Sequence, residues 1–185
     1  MTTVWPIGIH WAHDVNGDSP DAQTLARAAV ASLIDAKLTV ATAESLTGGL
    51  VAASLTSVPG ASACFRGGIV SYATDLKSSL LGVDSALLAE AGPVDEQVAL
   101  QMAAGACVTC GSHIGVATTG VAGPTEQDGV PVGTVFVAVW SHARQSGSVQ
   151  RLQLHGDRGQ IRAQAVEVAL ELANGASRSI DDPHR

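Results

Sequence analysis

Basic residues are scarce in this chain: lysine occurs twice, at Lys37 and Lys77, and no run of Lys or Arg appears anywhere. Neutralising a nucleic-acid backbone takes a basic face, and a formal net charge of −7 argues against one, so DNA and RNA are disfavoured as partners. An isolated arginine can still hold one phosphate, which leaves small anionic ligands open. Cysteine is sparse too. An odd count of three, without a secretory leader, argues against a disulfide scaffold. Cys107-Val-Thr-Cys110 has redox spacing, but it closes a run over 97–110 whose small and apolar residues read as helix. Two small hydrophobes on one helical face is the better reading of that pair. The opening Met1-Thr2-Thr3-Val4-Trp5-Pro6 lacks the basic flank and long apolar core of a signal peptide. No apolar stretch has the ~20 residues of a membrane span. A soluble, cytoplasmic, acidic protein with no membrane partner is expected.

What is present is a globular composition, 46% hydrophobic over 185 residues, enough for one domain with a real core. Residues 1–20 read as an extension that holds Trp5, Trp11, His10 and His13. The two histidines have metal-like spacing, yet no Cys or carboxylate constellation supports a metal there. Ser19-Pro20-Asp21 suits a helix start, with Ser19 as cap, and Leu25, Ala29, Leu33 and Ala36 continue it at helical spacing. Strands are expected over 38–43, 69–73 and 114–119, with helices over 47–57, 75–81, 85–91, 95–110 and 161–173. A hairpin over 133–141 and 149–155 turns at Gln145-Ser146-Gly147. Strands alternating with helices imply an α/β fold. The expected form is a three-layer α/β/α sandwich, its mostly parallel mixed sheet carrying an antiparallel edge hairpin. One domain over 21–175 and a polar tail over 176–185 complete the organisation.

In such sheets ligands collect where strands end and helices begin. Thr42-Ala-Glu-Ser45-Leu-Thr-Gly48-Gly49 occupies the first of these junctions. A serine before a helix is usually a plain N-cap, and on this stretch alone that is the better reading. As a nucleophile it needs a base, and the free N–H groups of Leu46, Thr47 and Gly48 would favour a developing oxyanion. Gly48 and Gly49 permit close approach of a ligand.

The second junction, Ser71-Tyr72-Ala-Thr-Asp-Leu-Lys77, holds the only tyrosine and one of the two lysines. A lysine is a base only where desolvation lowers its pKa, and Ala73, Leu76, Leu80 and Leu81 could wall such a site. A solvated lysine on a helix is the equal alternative. Ser45 fits neither the G-x-S-x-G elbow nor S-x-x-K, which only Thr74-Asp-Leu-Lys77 approaches. His113, His142 and His155 all lie outside glycine-rich turns, so a Ser–His–Asp triad is remote. The third junction, Thr118-Thr119-Gly120-Val-Ala-Gly123-Pro124, can present backbone N–H groups but is neither a P-loop nor a dinucleotide fingerprint. Arg158, in His155-Gly-Asp-Arg158, could clamp a phosphate or carboxylate; alone, a surface ion pair is the plainer reading.

Taken in order, AESLTGG, GGIVSYATDLK, TTGVAGP with GVPVGTVFVAV, and HGDR resemble the CinA C-terminal domain family over about residues 22 to 173. The resemblance implies a stand-alone α/β/α amidase that converts nicotinamide mononucleotide to nicotinate mononucleotide and ammonia without metal or cofactor. It assigns Ser45 as nucleophile, Lys77 as general base and Tyr72 as the residue orienting the proton path. Thr47, Gly48, Gly49, Thr119, Gly120, Gly123 and Arg158 become substrate-binding positions, and self-association is implied. Two alternatives stay open: a ligand-binding or assembly module of the same fold, and an amidase for another small amide.

Overall fold

Helix α1 (Ala22–Asp35) begins where the Asp21 carboxylate accepts the N–H of Thr24 at 2.8 Å, so Asp21 is the cap. The structure, a computed structural model, describes residues 21–180. The expected cap Ser19, the tryptophans Trp5 and Trp11 and the histidine pair lie outside the described residues. After α1 come β1 (Val40–Glu44), α2 (Leu50–Thr56), β2 (Phe65–Val70), α3 (Thr74–Leu81), α4 (Ser85–Ala91), α5 (Glu96–Cys110) and β3 (Ile114–Gly120). The antiparallel hairpin β4 (Thr134–Ser141) and β5 (Ser146–Gln153) follows, and α6 (Arg158–Ile180) closes the chain.

The five strands form one sheet in the order β2-β1-β3-β4-β5. The first three are parallel and the last two antiparallel, which is the mixed sheet with an edge hairpin expected from the sequence. Side chains alternate across the sheet with period two, and the two cores separate accordingly. Val40, Val135, Val137 and Val139 face a cluster with α1, α2 and α6, including Leu33, Leu55, Ile161 and Leu170. Ala41, Ala43, Ala117 and Ala138 face a second cluster with Leu81, Val98, Met102 and Ala106 on the α3–α5 side. Each large side chain so buried contributes roughly 1.5–3 kcal/mol. All five residues of β1 are buried, as a central strand covered on both faces requires. Among the described residues no helix is long and apolar enough to cross a membrane.

Several boundaries differ from expectation: β2 ends at Val70 and not at 73, β5 spans Ser146–Gln153, so Ser146 and Gly147 belong to the strand and not to the turn, and α6 begins at Arg158 and not at 161. Three further differences bear on the site or the chain's end. Helix α2 starts at Leu50 instead of Thr47, because Gly48 (φ 61°) and Gly49 (φ 98°) hold left-handed backbone that no right-handed helix contains. Gly67 and Gly68, expected ahead of the second strand, lie inside β2. A Cβ on Gly68 would come within 2.6 Å of Thr42 Oγ1 and 3.0 Å of Ala52 Cβ, so only a bare backbone lets the edge strand lie against β1 and α2. Helix α6 runs on to Ile180, so residues 176–180 belong to the helix.

Candidate active site

β1 is flanked by β2 on one side and β3 on the other, so the connections leaving β1 and β2 run in opposite directions across the sheet. The carboxyl end of β1 is therefore the topological switch point, where an open α/β sheet leaves a crevice. Ser45 is the first residue beyond it. Its N–H donates to the Thr118 carbonyl (2.9 Å), which ties the turn to β3, and its carbonyl accepts the N–H of Gly48 (3.1 Å).

Lys77 reaches the same place from α3. Its side chain is 1% exposed, and Nζ donates to the Ser71 carbonyl (2.7 Å) and to Ser45 Oγ (3.2 Å). Burial alone lowers its pKa from the ordinary 10.5 to about 8. An ammonium stripped of water is disfavoured, so the neutral amine becomes accessible near physiological pH.

A cavity of about 310 Å³ opens over this pair. Tyr72 and Thr74 line it from the β2–α3 junction, Pro93 and Val94 from the segment before α5, Thr119 and Gly120 from the end of β3, and residues 121–123 and 125–127 from the β3–β4 loop; Arg158 closes the rim from the start of α6. Thr119 Oγ1 donates to the Pro93 carbonyl at 2.6 Å, which fastens two of these walls together. Arg158 spans the mouth: Nη1 donates to the Gly123 carbonyl (2.7 Å) and Nη2 to the Tyr72 hydroxyl (2.9 Å). Tyr72 is 60% exposed.

The structure thus gathers Ser45, Lys77, Tyr72, Thr119, Gly120, Gly123 and Arg158 around one cavity. Thr47, Gly48 and Gly49 form the frame of the turn behind it. Thr47 Oγ1 shares a fully buried 2.7 Å hydrogen bond with Thr118 Oγ1. The glycines supply the left-handed bend, and Cβ atoms on them would meet Arg162 and Val70. The Tyr72 hydroxyl, to which the resemblance gives the orienting of the proton path, is bonded to Arg158.

Two residues of this frame escaped the sequence reading. Glu44, 1% exposed, accepts the N–H groups of Gly49 (2.8 Å), Val51 (3.1 Å) and Ala52 (2.8 Å) and so caps α2 with a carboxylate. An acid ending an apolar strand ahead of a Gly-Gly pair was the available signal. Arg162, one turn beyond Arg158, donates to the carbonyls of Leu46 and Thr47, each at 2.9 Å. No local pattern marks that contact, since more than a hundred residues separate the partners. No group of three or more His, Cys, Asp or Glu side chains that could hold a metal ion occurs among the described residues.

Fold and site together define a three-layer α/β sandwich whose switch-point cavity sets a buried lysine against a serine. The chain belongs to the CinA C-terminal domain family, whose model matches residues 22–176. A CinA-like protein of Frankia casuarinae is 53% identical over 141 residues, covering 76% of this chain and 32% of the relative. A putative competence-damage inducible protein of Desulforamulus reducens is 46% identical over 142 residues, covering 76% and 34%. The chain spans about a third of the length of these curated relatives. Among solved structures, the competence/damage inducible protein CihA of Agrobacterium tumefaciens superposes with a TM-score of 0.78 at 37% identity, covering 83% of this chain and 93% of that one. A CinA superfamily protein of Klebsiella pneumoniae gives 0.82 at 30% identity, covering 86% and 99%.

Proposed function

We propose that this chain is a serine amidase that hydrolyses the carboxamide of nicotinamide mononucleotide, with Lys77 as general base. The observation that carries the reading is the buried Nζ of Lys77, 3.2 Å from Ser45 Oγ and lowered to a pKa of about 8, at the floor of a cavity. In its neutral form Lys77 accepts the Ser45 proton as Oγ attacks the carboxamide carbon. Negative charge then develops on the amide oxygen. The N–H groups of Leu46 and Thr47 have no acceptor among the described residues and serve that oxygen, whereas the N–H of Gly48 already closes the turn. Lys77 returns its proton to the departing amide nitrogen, and ammonia leaves an acyl ester on Ser45. Water, deprotonated by the same amine, releases the acid and restores the hydroxyl.

The substrate assignment draws on the family resemblance and on Arg158, whose planar fork suits a phosphate at the cavity mouth. Ammonia and nicotinate mononucleotide are measured on incubating the purified protein with nicotinamide mononucleotide. Ser45→Ala is expected to lower the rate at least about a thousandfold while keeping the fold. Saturable binding by the wild type with no product would instead favour a binding module. Turnover confined to another amide in a substrate panel would move the substrate assignment and keep the chemistry.

A further inference from the structure

The turn that carries Ser45 is held between two oppositely charged side chains that touch no reacting group. On one side the Glu44 carboxylate takes the N–H groups of Gly49, Val51 and Ala52. On the other, Arg162 applies two donors of its fork, Nε to the Leu46 carbonyl and Nη2 to the Thr47 carbonyl. A planar trans peptide sends its N–H opposite to its C=O. Holding the Leu46 carbonyl against α6 therefore aims the Thr47 N–H away from α6. Holding the Thr47 carbonyl likewise orients the next peptide, whose Gly48 N–H closes onto the Ser45 carbonyl at 3.1 Å. That bond orients the Ser45–Leu46 peptide and sends the Leu46 N–H outward.

We infer that Arg162 is a positioning residue: through these two carbonyls it sets the direction of the free N–H groups that receive the developing oxyanion. The inference rests on the amidase reading above. A lysine at this position would present all its donors from one nitrogen, so it cannot reproduce the two separate, in-plane bonds that the guanidinium fork directs at the two carbonyls.

The test compares wild type, Arg162→Met and Arg162→Lys as full chains, following kcat, KM, the midpoint of the pH profile and the melting temperature. Donors that act only on the transition state change kcat and leave ground-state binding alone. Arg162→Met is expected to lose about a hundredfold in kcat, with KM within about threefold, the pH midpoint unmoved and Arg162→Lys in between. A folded Arg162→Met with kcat within about threefold of wild type overturns the inference. So does a rate loss that vanishes when both proteins are assayed equally far below their melting temperatures. Should Arg162→Met not fold, a wild-type kcat in Arg162→Lys overturns it. A wild type that releases no ammonia strikes the amidase reading instead. Acylation of Ser45 by p-nitrophenyl acetate then decides the inference alone: slower labelling in the variants supports it, and equal labelling overturns it.

Discussion

Lys77 Nζ lies 3.2 Å from Ser45 Oγ and 2.7 Å from the Ser71 carbonyl, and Ser71 in turn donates its N–H to the carbonyl of Glu44, the residue before Ser45. The amine and the hydroxyl are thus fastened to one another through two adjacent strands. Their separation is fixed by the β1–β2 ladder rather than by the long lysine side chain alone.

On the proposed mechanism, the titration of Lys77 gives activity a pH dependence of definite sign. The amine acts as base only when neutral, so kcat/KM is expected to rise with pH through a midpoint near 8. Stability is linked to the same group. Its folded pKa lies below the ordinary 10.5, so the folded state binds fewer protons. The resulting penalty is fully present below about 8 and relieved as pH rises toward 10.5. Melting temperatures of wild type and Lys77→Met are expected to diverge across this window, in favour of wild type at the alkaline end. A flat difference would show that Lys77 titrates normally.

Arg158 is expected to bind substrate without taking part in proton transfer. Arg158→Ala should raise KM for nicotinamide mononucleotide about tenfold or more and leave kcat nearly unchanged. The dephosphorylated riboside should show no such rise. Tyr72→Phe, which removes only the hydroxyl bonded to Arg158, should keep kcat within about threefold. A kcat collapse in Tyr72→Phe would return Tyr72 to the proton path.

Glu44→Gln replaces a charged acceptor of three backbone N–H groups by an amide, half of which is a donor. A loss of about 3 kcal/mol in unfolding free energy is expected, read from urea denaturation. Unchanged stability would mean that water or a shifted backbone replaces the carboxylate.

Gly115→Ala would press a Cβ into the Ala103 carbonyl of α5 and to within 3.0 Å of Cys107 Sγ. A strand and a helix backbone cannot both yield cheaply, so destabilisation of about 3 kcal/mol is expected, measurable in the same way. Cys107 itself is buried and its thiol is pushed up to about 11 by desolvation, in keeping with a packing role for the pair on α5.

The layers and the strand–helix alternation were legible because apolar periodicity carries them, and the ends of α4, α5 and β4 fell within a residue or two of expectation. The junctions were harder to read. Gly48-Gly49 and Gly67-Gly68 look alike in sequence, yet one pair bends a turn and the other thins a strand. What separates them is the neighbour each backbone meets, and that neighbour comes from another element. Ser45 and Lys77 stood out by residue type and position at strand ends, but a plain cap and a solvated lysine fitted that pattern as well, and only the resemblance gave them roles. Glu44 and Arg162 did not stand out, because their significance lies in which backbone groups the assembled sheet brings before them.

Reversal of direction after β3 has a consequence for the geography of the molecule. β4 descends from the cavity and β5 climbs back, so the chain delivers Arg158 to the same rim as Ser45, Lys77 and Thr119 without a further crossover helix. The short bend over 142–145 is left at the opposite pole, remote from every residue that lines the cavity. New chain termini, a fluorophore or a surface tether placed at that bend would leave the chemistry undisturbed, whereas the same change at 121–133 would dismantle a wall.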